Sequence, residues 1–226
     1  MPAKSRPPKP REPLTRERIA AAALKFIDDH GMEALSMRRL GKVLKVEAMA
    51  LYHHFANKGE LLDAVLERLA DEVELPPRGA MPPMERLRCF ARSHRQMALR
   101  HPYAFILVPS RRFSTDRSIA RYEEILEAFS DLGFDAALSA RYFRTLGYLA
   151  SGAGLADIAS RAEQPDAKPV RLETFDDSRF PRVTAVVPHL RASKLDAIFE
   201  FGLDIVFDAM ERDAEAARQT NAKKKN

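Results

Sequence analysis

The chain has 226 residues, 46% hydrophobic and 31% charged, with a formal net charge of +5 and a pI of about 9.4. That length and apolar content exclude a wholly disordered chain and allow one or two domains with a full core. The single Cys89 excludes an internal disulfide and a multi-cysteine metal site, and reads as a small core residue. The basic balance suits an anionic partner. The chain shows neither a signal-peptide apolar region nor a run of about 18 apolar residues, so the expectation is a soluble, cytoplasmic protein.

Residues 1–13 carry five prolines and set Lys4, Arg6, Lys9 and Arg11 against Glu12. They read as a disordered basic arm, either a solvated tail or a contact to phosphates or a minor groove. The first helix starts at Thr15, whose hydroxyl can cap the free amides of the first turn. Ile19, Ala22, Ala23, Phe26 and Ile27 form its buried face, and Gly31 allows a positive-φ stop after His30. A second helix follows Ser36 as N-cap, with Leu40, Val43 and Leu44 expected inward and Gly41 allowing close approach of a neighbour. Lys45–Val46 make a turn. A third short helix spans about 47–54, anchored by Leu51 and Phe55. Asn57 with Glu60 forms a capping-box pattern that opens a fourth helix, expected to reach about Leu75.

Pro76–Pro77 and Pro82–Pro83 mark the sequence-level boundary. The expected division is a basic arm over 1–13, a helix-turn-helix domain over 14–75, a helical domain over 76–215 and a basic tail over 216–226. Amphipathic helices are expected at about 84–100, 103–109, 117–132 and 135–161, the last capped by Asp135. Residues 162–182 read as a long loop. A final helix starts near Ser193 with Asp196, and carries Ile198, Phe199, Gly202, Ile205, Val206, Ala209 and Met210 as a wide apolar stripe. The fold class is all-α.

Two short helices joined by a tight turn, then a capped helix, are the pattern of a helix-turn-helix that places one helix in a DNA major groove. Leu51 and Phe55, four apart, point inward. Ala48, Met49, Ala50 and His53 then face outward. Small residues let the helix approach the groove floor, Ala or Met can touch a thymine methyl, and His53 can bond a base edge or a phosphate. Arg38 can reach a guanine edge or the backbone, or it is simply solvated. Tyr52 offers a hydroxyl. Lys58 sits where the free amides and dipole of the fourth helix already favour an anion. His53 and His54 diverge by about 100° on a helix and do not chelate a metal together.

The run Thr15–Leu66 resembles the DNA-binding domain of the TetR family of transcriptional regulators. Its marks are Gly31, LSMRRLGKVLKV and ALYHHFANKGELL, most specifically Tyr52 and Phe55 followed by Asn57–Lys58. The resemblance implies that Tyr52 and Lys58 contact phosphates and that Ala48, Met49, Ala50 and His53 face bases. Met37 departs from the small polar residue common at its place. GYLASGAGLADI and FGLDIVFDAMER resemble the two interface helices of the tetracycline-repressor branch, which implies a homodimer with a four-helix interface. Gly147, Gly152, Ala153 and Gly154 suit close packing there or against an internal helix.

The resemblance further implies a small-molecule effector in the helical core of the second domain. Candidate lining residues are Phe90, His94, Met97, Tyr103 and Phe105, with Phe113, Tyr122, Phe129 and Phe143. Any of them can equally be plain core, and His94 is the polar member able to orient a ligand. The places that match the polar, magnesium-dependent tetracycline set hold Glu74, Phe90, Val108 and Ile125, which points to an apolar or aromatic effector. No metal or cofactor is expected. HExxH, GxSxG, GxxxxGK and paired cysteines are absent, and the six histidines lack ligand spacing, which disfavours an enzyme. The expected function is a ligand-responsive repressor that binds palindromic operator DNA. An architectural or effector-independent DNA-binding protein and a TetR-like activator are the alternatives.

Overall fold

The computed structural model describes residues 13–111, 114–161, 179–189 and 195–225. Two compact units divide at Arg68/Leu69, inside the last turn of the fourth helix. Pro76–Pro77, read from the sequence as the boundary, lie in the second unit.

In the first unit, α1 (Arg16–His30) starts at Thr15, whose hydroxyl accepts from the Arg18 amide at 3.2 Å. It stops at Gly31, where φ is +82°. Helix α2 (Met37–Leu44) starts at Ser36, which accepts from the Arg39 amide at 3.3 Å. Helix α3 (Ala48–Tyr52) follows a turn in which Lys45 is left-handed. Ile19, Ile27, Leu40, Leu51, Phe55 and Leu61 are fully buried and make the core. Val43, expected inward, is instead 53% exposed. Leu40 and Gly41 take the inward stripe of α2, which leaves Val43 on its outer flank.

Helix α4 (Lys58–Asp71) opens on Asn57, whose side-chain oxygen accepts from the Glu60 amide at 3.0 Å. Glu60 answers by accepting from Ala56 rather than Asn57, at 3.0 Å, so the reciprocal bond is shifted by one residue. The helix ends at Asp71, short of the expected Leu75. Side chains from elsewhere in the second unit take the backbone groups that follow it: Ser93 Oγ accepts from the Glu74 amide at 2.8 Å, and Arg121 donates to the Val73 carbonyl.

The second unit is built on α5 (Pro83–Arg100), which packs against α8 (Ala136–Arg161) and α7 (Asp116–Asp131). Thr115 and Ser118 form a capping box at the start of α7, and Asp135 accepts from the Leu138 amide at 2.8 Å to cap α8. The expected helix at 103–109 is a turn followed by the short α6 (Leu107–Ser110). Much of the expected 162–182 loop lies outside the described residues, but Pro181 opens a helix, α9 (Pro181–Val186), where proline is favoured because its missing amide costs nothing. Ser193, the expected cap of the last helix, also lies outside them. Helix α10 (Leu195–Lys225) runs on through the stretch read as a tail.

Charge fixes α10 on α5. Arg88, Arg92 and Arg95 pair in antiparallel order with Asp204, Glu200 and Asp196 at 2.6, 2.6 and 2.8 Å. The Arg88 and Arg95 guanidinium groups also cover the Phe207 and Phe199 rings at 4.4 and 4.8 Å. The hydrogen bond to Glu200 raises the pKa of Arg92. Arg95 is buried and bonds Asp157 of α8 through Nε at 2.6 Å. Tyr142 donates to Asp213 at 2.7 Å across α8 and α10; burial first, then this bond, pushes its phenol up to about 12, so it stays a neutral donor.

Candidate functional site

Helix α3 presents two faces of different chemistry. Leu51 and Phe55 are buried, Ala48 and Ala50 are half-buried, and Met49, Tyr52 and His53 are exposed, Met49 at 68%. A large thioether left in solvent beside two alanines makes this outer face narrow and apolar. The helix closes at Tyr52, two residues before the expected His54, because the Leu51 carbonyl takes both the His54 and Phe55 amides at 3.0 Å. His53 still follows in helical conformation, so it keeps the outward face.

Gly41 sets how closely α2 meets this helix. A Cβ there would stand 2.8 Å from the Val46 carbonyl oxygen and 3.4 Å from the Ala48 amide nitrogen. Arg38 is exposed in the first turn of α2. Arg39 donates to the Ala34 carbonyl at 3.1 Å. Met37, where the resemblance expects a small polar residue, is buried and makes a core contact. Lys58, at the first position of α4, donates to the Leu35 carbonyl at 2.7 Å. An ammonium has three donors, so two remain for an anion. Sequence reasoning missed Arg16, whose guanidinium donates to the His54 carbonyl and lies 4.2 Å from the Phe55 ring centroid.

The expected effector residues divide. Phe90, His94 and Phe105 gather in the core of the second unit, the His94 ring lying 5.8 and 5.4 Å from the other two. His94 Nε2 is 3.1 Å from the hydroxyl of Ser151 on α8, a partner 57 residues away that sequence reasoning did not name. Met97 and Phe129 are fully buried, and Tyr122 meets Phe143 edge-on at 5.5 Å. Tyr103 is 56% exposed and stands apart, and Phe113 lies outside the described residues. A separate groove of about 820 Å³ lies between α7 and α8, lined by Arg78, Glu123, Glu127, Asp131, Phe134 and Ser139. It includes none of the expected lining residues.

Burial works against the Glu72 carboxylate, but hydrogen bonds and charge from His101 and Arg100 outweigh it and hold its pKa below the usual value. Among the described residues no group of three or more His, Cys, Asp or Glu is placed to hold a metal ion, and no helix is long and apolar enough to cross a membrane.

Family models match both units. Residues 19–65 match the bacterial regulatory proteins of the tetR family, and residues 76–213 match the tetracyclin repressor-like C-terminal domain. The chain is 28% identical over 201 residues to the tetracycline repressor protein class C of Escherichia coli, covering 88% of this chain and 91% of that one. It is 32% identical over 124 residues to an HTH-type transcriptional regulator of Saccharopolyspora erythraea, covering 55% of this chain and 52% of that protein, so this match spans about half the relative's length. The solved structure of the Streptomyces coelicolor TetR family protein ActR in complex with actinorhodin is similar with a TM-score of 0.74 and 27% identity, over 90% of this chain and 99% of that one. With the second model alone spanning more than half of the sequence, the chain belongs to the TetR family of transcriptional regulators.

Proposed function

We propose that this protein is a repressor that binds palindromic operator DNA as a homodimer and is released by a small-molecule effector. The observation that carries the reading is α3, whose exposed Met49, Tyr52 and His53 stand over the buried Leu51 and Phe55. In this reading Ala48, Met49, Ala50 and His53 face base edges, Tyr52 and Lys58 hold the backbone, and Arg38 reaches a guanine edge or the backbone. Two such helices in a dimer read half-sites about 34–36 Å apart, or a multiple of that.

The outward faces of α8 and α10 support the homodimer. Tyr148, Leu155, Ile198, Phe201 and Ile205 are exposed, Phe201 at 66%. Gly147 and Gly152 meet nothing within 4 Å, whereas Gly154 is occupied internally by Ala98 of α5. In an isolated chain, Gly152→Ala stabilises the helix by about 0.5–1 kcal/mol. With a second copy's helix seated there, the same change weakens the dimer. Sedimentation at dilute concentration separates the two, and an unchanged dimer with a raised melting temperature counts against this interface.

For the effector, the His94–Ser151 pair among Phe90 and Phe105 supports an apolar or aromatic molecule with one polar group. The capture of actinorhodin by ActR supports a ligand-binding role for the second unit. The effector has to prefer the DNA-incompetent conformation, because equal affinity for both shifts nothing.

Selection of sites from a random duplex library, followed by affinity at two salt concentrations, tests the reading. A palindromic consensus is expected, and salt-sensitive binding without one sinks it. On the selected duplex, Lys58→Ala weakens binding to all sequences and lowers the salt slope by about 1.8, which is about 0.9 for each copy in the dimer. Met49→Ala or His53→Ala instead changes which bases are preferred. Undiminished affinity of Lys58→Ala at every salt removes the phosphate assignment.

A further inference from the structure

A five-residue helix is not stable by itself, and once the Leu51 carbonyl has taken the His54 and Phe55 amides the helical pattern stops. The fixed presentation of Met49 and His53 therefore depends on what grips the ends of α3. At its start, the close approach of Gly41 does this. Beyond its end, the chain turns at His53 and His54, and the His54 carbonyl is taken by the Arg16 guanidinium. The same group lies over the Phe55 ring, its Cζ 4.2 Å from the centroid, and Phe55 is fully buried. Arg16 is itself held, as the first residue of a helix capped by Thr15. One side chain thus joins the start of α1, the carbonyl end of the recognition segment and its aromatic anchor.

We propose that Arg16 is a positioning residue for operator recognition, clamping the end of α3 to the start of α1 and so setting the angle at which Met49 and His53 meet the bases. The inference rests on the operator-binding reading above. The chemistry requires arginine. A guanidinium stacks on a ring and donates in its own plane at once, and a cation at a helix C-terminus is favoured by the dipole. Lysine keeps the charge but loses the planar contact. That difference separates a clamp from a plain phosphate contact, which is what a basic residue near a DNA-binding helix would otherwise provide.

Two measurements on the full-length protein test this, with Arg16→Lys and Arg16→Gln. In hydrogen exchange of the free protein, amides of 48–56 exchange about tenfold faster in both variants, while those of 19–27 and 61–66 keep their wild-type rates. In binding, the ratio of affinities for the selected and a scrambled duplex falls about tenfold in both variants. Arg16→Lys keeps the wild-type affinity and salt slope on the scrambled duplex. Wild-type behaviour of Arg16→Lys in exchange and in the ratio overturns the proposal. So does an equal loss on both duplexes with a shallower slope, which marks a phosphate contact. Faster exchange spread over 19–27 and 61–66 overturns it as well, since Arg16 would then hold the whole unit rather than one angle. A wild-type protein with no preferred duplex sinks the operator reading instead, and exchange then decides the clamp by itself.

Discussion

Asp157→Ala is expected to destabilise the second unit by about 3 kcal/mol, because it leaves a buried guanidinium without its main partner. Arg95 has a side chain only 3% exposed, and it bonds Asp157 through Nε and Nη2 at 2.6 and 2.5 Å. Removing one member of such a pair costs about 3–5 kcal/mol. The low end applies because Asp196 still reaches Nη2 at 2.8 Å and the Phe199 ring remains under the charge. For a unit of this size the loss lowers the melting temperature by roughly 6–12 °C. The double change Arg95→Met with Asp157→Leu recovers most of it, since apolar side chains can replace a buried ion pair at little or no cost. Thermal unfolding followed by circular dichroism checks both variants. A single-variant shift below about 2 °C would show that Asp196 alone satisfies Arg95.

Gly41→Ala is expected to cost about 1–3 kcal/mol in the first unit and to remove specific DNA binding. The added Cβ meets the Val46 carbonyl oxygen at 2.8 Å and the Ala48 amide nitrogen at 3.4 Å, both backbone atoms. No side chain can rotate away, so α2 and α3 must separate. The stability loss and the affinity loss then arise from one movement. A folded Gly41→Ala protein with unchanged site preference would falsify the claim that this contact sets the angle between the helices.

What the sequence made legible was decided locally. Thr15, Ser36, Asn57 and Asp135 cap the amides next to them, so each helix start could be read from a few neighbouring letters. The two faces of α3 were legible for the same reason, from the four-residue spacing of Leu51 and Phe55. What remained hidden depends on partners far along the chain. Helix α4 ends early where Ser93 and Arg121 take the Glu74 amide and the Val73 carbonyl just beyond it. Arg95 and Arg86 went unremarked in the sequence and are buried against Asp157 and the Pro76 carbonyl. The clamp by Arg16 joins positions 38 residues apart. The aromatic list for the effector core was the least legible part. Aromatic residues recur at helical spacing wherever helices pack, so the pattern did not separate Tyr103, which faces solvent, from Phe90 or Phe105.

The paired charges of α5 and α10 act as detents on a rail. Asp196, Glu200 and Asp204 recur every four residues against Arg95, Arg92 and Arg88. If α10 slides by one residue, all three pairs break together. If it slides by one full turn, about 6 Å, two of the three re-form with new partners and one charge is stranded at each end. Intermediate positions have no such compensation. The register of the last helix on α5 is therefore held in steps of one turn rather than graded, and increasing ionic strength weakens the Arg92–Glu200 rung first, the pair in which both side chains are well exposed.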